Sequence, residues 1–219
     1  MGKKILTPTQ FNVLELASKD QGITDWFYFT GGTALSEFYL HHRLSEDLDF
    51  FSENPIHHEV IDDFISKVDN KLGTISDKNS IRGHGIFTLS FPGKRFLKID
   101  FVNQPFKQLE LGKKYHKLRV ASLWDIIVDK LYTIFHRGNA RDFVDLYFGI
   151  KELDCDLDQL ISAMEEKYKS GFDRMSLLSR LPIVKDLVDY PKMIVPFDRK
   201  KMEDFFFKLV KKQEKNIFK

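Results

Sequence analysis

The chain has 219 residues, 42% of them hydrophobic and 30% charged. This composition excludes disordered, fibrous and membrane-spanning classes and leaves room for one large domain or two small ones. A formal net charge of +2 excludes binding to nucleic acid by bulk charge alone. Charge is nevertheless uneven, with 12 basic and 15 acidic residues in 1–110 against 22 and 17 in 111–219. That asymmetry suggests a carboxylate-bearing front half and a polyanion-tolerant back half.

A lone cysteine, Cys155, permits no internal disulfide and fits a reducing compartment. Lys3 and Lys4 are not followed by the apolar stretch of a signal peptide, and no apolar run approaches the roughly 18 residues of a spanning helix. The expectation is a cytoplasmic protein with no membrane partner.

Residues 8–19 open at Pro8-Thr9 and space Phe11, Leu14, Leu16 and Ala17 like a short amphipathic helix. The aromatic run Trp26-Phe27-Tyr28-Phe29-Thr30 predicts a strand ending at Gly31-Gly32. A new helical segment is expected from Thr33, with Leu35, Phe38 and Tyr39 on one stripe. Asp47-Leu48-Asp49-Phe50-Phe51 alternates as a strand does. Residues 56–72 return to helical spacing. Strands over Ile86–Phe91 and Phe96–Val102 are joined by Pro92-Gly93-Lys94, which has the chemistry of a hairpin turn. Ser122 with Asp125 reads as an N-cap and its capping-box partner, opening a helix to about Phe135. Further helices are expected over 140–151, 157–169 and 199–215. The 21 phenylalanines are unusual, and base composition of the genome is the plain explanation.

Four constellations carry chemistry. Glycines at a strand-to-helix junction, Gly31-Gly32 before Thr33, let backbone amides approach a ligand, and the helix start offers a seat for phosphate. Thr33 reads equally well as a simple N-cap. Asp47 and Asp49, two apart in a strand, share one face, while Leu48 and Phe50 face the core. Two adjacent carboxylates repel unless a cation lies between them, and with phosphates present Mg²⁺ is the usual one. Solvated acids on an edge strand are the plainer alternative. In Lys98-Ile99-Asp100 the two charged residues share a face. Asp100 is a candidate third metal ligand, or a base for an attacking hydroxyl, or a surface acid paired to Lys98.

Lys130 falls within the apolar stripe of Leu123, Ile126, Ile127, Leu131 and Ile134, and Arg137 continues the line. A buried cation requires a partner, a cavity or a snorkelling path, and a triphosphate is one such partner. Asp142 and Asp145 share a helix face with Arg141 nearby, as supports for Lys130, as nucleotide contacts, or as a surface cluster. Adjacent His41-His42 and His57-His58 lack zinc-ligand spacing, although His42 and Arg43 could line the mouth of a site. No Walker A, dinucleotide or Gly-x-Ser-x-Gly fingerprint is present.

Taken in order, Phe29-Thr30-Gly31-Gly32-Thr33-Ala34-Leu35, His42-Arg43-x-Ser45-x-Asp47-Leu48-Asp49-Phe50-Phe51, Lys98-Ile99-Asp100, Asp129-Lys130-Leu131, Arg137 and Arg141-Asp142-Phe143-x-Asp145-Leu146 resemble the AbiEii/AbiGii toxin family of the nucleotidyltransferase superfamily. The resemblance extends over about residues 27–148, and Arg141 stands where the family commonly has Lys. It implies an α+β fold: a nucleotidyltransferase-like mixed sheet flanked by helices over 1–115, then a mainly helical region over 116–219 that completes the active site. It further implies transfer of a nucleoside monophosphate from an NTP with release of pyrophosphate, an acceptor such as tRNA, and a cognate antitoxin.

By the resemblance, Gly32 and Thr33 would contact the triphosphate, and Asp47 and Asp49 would hold Mg²⁺ (or Mn²⁺). Lys130 would contact the nucleotide phosphates, Asp145 (or Asp142) would be a further acid needed for activity, and Asp100 would be the third carboxylate. With Gly31, Arg43, Arg137 and Asp142 added, these form the expected nucleotide-binding set. A protein or small-molecule hydroxyl, such as that of an aminoglycoside, is the alternative acceptor. A non-catalytic nucleotide-binding protein of the same fold is the alternative from another class. Eight Lys or Arg against three acids in residues 199–219 favour RNA.

Overall fold

The protein is described from a computed structural model covering residues 5–81, 84–91 and 95–217. The expected turn Pro92-Gly93-Lys94 lies outside the described residues, as do Lys3 and Lys4. Two compact units divide the chain, Met1–Ser122 and Leu123–Lys219.

In the first unit, α1 (Pro8–Ala17) opens on a capping box in which the Thr7 and Gln10 side chains each accept from the other's backbone N–H. A second helix, α2 (Gln21–Trp26), is capped by the Asp20 carboxylate on the Ile23 amide. Here the expected strand is shortened. Trp26 closes α2, and β1 is only Tyr28–Thr30, because a side-chain cap six residues upstream commits the chain to a helical turn first.

The next helix, α3 (Gly31–Leu35), starts at the glycines instead of at Thr33, with Thr30 at its N-cap. It continues as a π-helical turn, Ser36–Leu40, closed by His41 in the left-handed region with its N–H on the Ser36 carbonyl. Then come β2 (Leu48–Ser52), α4 (His58–Leu72), β3 (Ile75–Ile81), β4 (His84–Phe91), β5 (Arg95–Asn103), β6 (Lys114–Tyr115) and β7 (Leu118–Val120).

The strands form one mixed sheet in the order β3-β4-β5-β2-β1-β7-β6. Neighbours are antiparallel except β1 with β7 and β2 with β5, which run parallel. Strict alternation in β2 places Leu48, Phe50 and Ser52 on the buried face. Phenylalanines make the core of this unit. Phe101 stacks on Phe50 at 5.3 Å and meets Phe27, Phe64 and Phe87 edge-on. Each such pair contributes about 0.5–1.5 kcal/mol beyond area burial. The phenylalanine content therefore has a structural use.

The second unit is helical: α5 (Leu123–His136), α6 (Ala140–Leu153), α7 (Leu157–Tyr168), α8 (Arg174–Arg180) with a following 3-10 turn, Leu181–Asp186, and α9 (Arg199–Ile217). A Cβ on Gly149 would lie 2.0 Å from Ile127 Cδ1, so a glycine permits the close approach of α5 and α6. Between α5 and α7, the Lys167 ammonium lies 2.8 Å from Asp125 and 2.6 Å from Asp129, with both Lys167 and Asp125 side chains out of solvent. Burial lowers the affinity of Lys167 for its proton, but the two carboxylates more than offset this and hold its pKa above the ordinary value. Asp129 also accepts from the Tyr168 hydroxyl at 2.9 Å.

Candidate active site

The site in the first unit is built where β1 hands over to α3. Gly31 adopts φ 76°, a left-handed conformation that a side chain would strain. A Cβ there would also fall 1.9 Å from Asp49 Oδ2. The β1–β2 register explains this: Thr30 pairs with Asp49, so the chain turns away from the sheet directly over that carboxylate. Gly32 is pressed from another side, since a Cβ would lie 2.4 Å from the Arg43 guanidinium and 3.0 Å from Ser45 Oγ. Arg43 is itself buried and donates to the Leu44 carbonyl at 2.9 Å. The two glycines thus admit a carboxylate and a guanidinium to the same backbone.

Thr33 lies in the first turn of α3, not at its N-cap, and is 1% exposed. Its hydroxyl donates to the Asp47 carbonyl. Gln10 holds the two preceding carbonyls, with Nε2 at 2.8 Å from that of Ser45 and 3.0 Å from that of Glu46. Three consecutive backbone acceptors ahead of β2 are therefore fixed by side chains, which sets the approach of Asp47. Sequence reasoning missed Gln10. Its only local signal is the capping box, which explains the same residue without any reference to the site.

Asp49 pairs in register with Asp100 across the parallel β2–β5 ladder, so the two acids occupy the same face of the sheet. Asp100 Oδ2 accepts from Lys98 Nζ at 2.5 Å. Its Oδ1 is buried with no hydrogen-bond partner and lies 3.7 Å from His84 Nε2. His84 is a second residue that periodicity could not find. It reaches Asp100 across the β4–β5 pairing, in which its own register partner is Val102.

Among the described residues no three His, Cys, Asp or Glu side chains are gathered into a metal-holding group. The donor chemistry nonetheless suits a hard divalent cation: carboxylates on one sheet face, one with an orphaned buried oxygen.

In the second unit the expected polar residues do assemble. Lys130 Nζ lies 2.8 Å from Asp142 Oδ1 and 2.8 Å from Asp145 Oδ2, and both acids are fully buried. The cation on the apolar stripe of α5 therefore has its partners on α6. Arg137 Nε stands 3.5 Å from Asp142 Oδ2, with its side chain 56% exposed. Oδ2 itself has no hydrogen bond. Arg141 is exposed. A separate pocket of about 280 Å³ is lined by Tyr147, Phe148 and Lys151 of α6 and by 196–198 and Lys201 around the start of α9. Among the described residues no helix is long and apolar enough to cross a membrane.

Comparison with known proteins adds to this geometry. A family profile described as "Nucleotidyl transferase AbiEii toxin, Type IV TA system" matches residues 16–215. An uncharacterized protein of Aquifex aeolicus, aq_aa25, is 29% identical over 195 residues, covering 84% of this chain and 90% of its own. The crystal structure of JHP933 from Helicobacter pylori superposes with a TM-score of 0.55 at 23% identity, over 97% of each chain. MenT4, a nucleotidyltransferase toxin from Mycobacterium tuberculosis, gives 0.54 at 15% identity, over 93% of this chain and 84% of its own. These likenesses are to the nucleotidyltransferase fold, an α+β architecture.

Proposed function

Because the chain belongs to the AbiEii nucleotidyl transferase toxin family, we propose that it moves a nucleoside monophosphate from an NTP to tRNA, in a Mg²⁺-dependent reaction restrained by a cognate antitoxin. The observation that supports this most is the placement of Asp49: in register with Asp100, and against the backbone of Gly31 at a strand-to-helix junction.

In the proposed reaction an acceptor hydroxyl gives up its proton to solvent, its oxygen bonds to the α-phosphorus, and the bond from that phosphorus to the bridging oxygen breaks. Pyrophosphate leaves with the electron pair. Such in-line displacement depends on positioning and electrostatics, not on covalent participation of the protein. Asp47, Asp49 and Asp100 are the residues that would hold the metal. When bound, a divalent cation supplies charge neutralisation at the triphosphate and polarisation of the α-phosphoryl group. Gly31, Gly32 and Thr33 offer backbone N–H groups at a helix start to the phosphates, and Arg43 adds fixed positive charge beside them.

The helical unit's proposed part belongs to Lys130 and Arg137 as phosphate contacts, with Asp142 and Asp145 fixing the Lys130 ammonium. Lys98 offsets the charge of Asp100 until substrate arrives.

The test is incubation of the purified protein with Mg²⁺, total tRNA and each α-labelled NTP in turn, with Asp49→Ala as control. Label on tRNA that disappears in the variant supports the reading. Label that goes to protein or to a small-molecule hydroxyl overturns the tRNA assignment. NTP binding without transfer of label overturns the enzymatic one.

A further inference from the structure

The pocket in the helical unit has a chemistry of its own. Two half-buried rings, Phe148 of α6 and Phe197 ahead of α9, lie 6.4 Å apart, with Tyr147 beside them. Lys151 sits at the rim, exposed. Its ammonium donates to the Tyr147 hydroxyl at 3.0 Å and lies 4.5 Å from that ring's centre. Among the described residues it forms no ion pair with a carboxylate. Lys201 enters from the first turn of α9 with its side chain 77% exposed, 3.7 Å from Asp198.

The lining carries one carboxylate, Asp198, against two cations, Lys151 and Lys201, and an aromatic wall with that balance fits a flat heteroaromatic ring carrying an anionic group. The volume of about 280 Å³ is at the lower edge of ligand sites, which suits one nucleotide better than a larger cofactor. Continuity decides the source of that nucleotide. Lys201, Lys208 and Lys212 fall at i, i+7 and i+11 on α9, and all three are exposed. They make a basic stripe along α9, interrupted by Asp204, which is itself paired to Lys200 at 3.2 Å, and repeated cations suit a chain of phosphates more than a single one.

We propose that this pocket holds one unpaired nucleotide of a single-stranded RNA, with its base against Phe148 and Phe197 and its phosphate on Lys151 and Lys201, while the chain continues along the lysines of α9. The inference deepens the reading of the protein as an RNA-modifying nucleotidyltransferase and rests on it for the identity of the polymer.

The experiment measures binding of a fluorescein-labelled, short single-stranded RNA to the full chain across a salt series. Lys151→Ala with Lys201→Ala is expected to weaken binding about tenfold and to reduce the log–log salt slope by about 0.7 per lysine. Phe197→Ala is expected to weaken it at least about fivefold with the slope unchanged. A thermal melt verifies folding, and Lys151→Gln, at an exposed position, repeats the measurement should Phe197→Ala unfold.

RNA affinity unchanged in the lysine pair overturns the proposal. So does loss of AMP or acidic-peptide binding in the variants while RNA binding stays intact, since the pocket would then serve a free nucleotide or a protein. The label-transfer assay separates the two readings. Transfer by the wild type with pocket variants behaving normally sinks the pocket alone. Lysine-dependent RNA binding without any transfer sinks the enzymatic reading alone.

Discussion

Gly31 and Asp49 meet so closely that a methyl group on the first would lie 1.9 Å from Oδ2 of the second. The contact ties a left-handed backbone position, φ 76°, to a carboxylate proposed to hold metal. Gly31→Ala should therefore act twice, by straining the backbone and by displacing Asp49. The expected outcome is loss of nucleotidyl transfer of at least about a hundredfold, with a stability cost of only about 1–3 kcal/mol. Steady-state rates beside a urea melt check it. A fully active alanine variant would show that Asp49 need not stand where it does.

Thr33 donates its hydroxyl to the Asp47 carbonyl, whereas the family resemblance assigns it to the triphosphate. Thr33→Val removes the donor at nearly constant volume and takes this hydrogen bond from the half-buried Asp47 residue, at a cost of about 0.5–1.5 kcal/mol. If the hydroxyl acts by setting Asp47, kcat falls and more Mg²⁺ is needed for half-maximal rate, with the KM for NTP little changed. A raised KM at constant kcat would instead place the hydroxyl on the phosphates.

Lys167 is held between two acids, Asp125 and Asp129, in the interior of the helical unit. Lys167→Met keeps the length of the side chain but takes the cation from both carboxylates, one fully buried and the other with its pKa already pushed up by burial. The expected loss is about 3–5 kcal/mol, seen as a lowered midpoint in denaturant. Adding Asp125→Asn to the same chain should recover part of it. A single variant as stable as the wild type would mean that the acids simply take up protons at no cost.

Glu15 predicts an acid dependence. Hydrogen bonds from Lys19 and from the Tyr115 hydroxyl hold its carboxyl down at about 2, from an ordinary value of 4.5. A carboxylate depressed on folding stabilises the native state above its unfolded pKa, and that contribution is lost as pH falls through the folded one. The linkage between α1 and the β6–β7 hairpin should therefore weaken between about pH 4.5 and 2. Glu15→Gln should flatten stability against pH in that window and leave the curve near neutrality parallel to the wild type's. Equal slopes in both proteins would remove Glu15 from the acid transition.

Much of this protein could be read one segment at a time. The order Gly31-Gly32-Thr33 then Asp47-x-Asp49 is a local pattern, and so is the period-two burial that places Leu48 and Phe50 inside. The position of Lys130 on an apolar stripe was enough to require a partner, a cavity or a snorkelling path, because burying a lone charge is too costly, and α6 supplies the partners. Where the chain chose differently, the reason is also local: Asp20 caps α2 and takes Trp26 out of the strand. The polar run Ile75-Ser76-Asp77-Lys78-Asn79-Ser80-Ile81 has little strand propensity, yet forms β3 because β4 offers it a ladder at the sheet edge.

The remaining relationships depend on register and helix packing across long separations, which periodicity does not encode. Asp49 beside Asp100 follows from the parallel pairing of β2 with β5. His84 near Asp100 follows from the antiparallel pairing of β4 with β5, and Asp142 and Asp145 on Lys130 from the close crossing of α5 and α6 that Gly149 allows. Single residues name the chemistry available to a chain, because charge, donor count and backbone freedom belong to the residue. Which groups meet depends on how whole faces are buried together, and that is a property of the folded sheet and bundle.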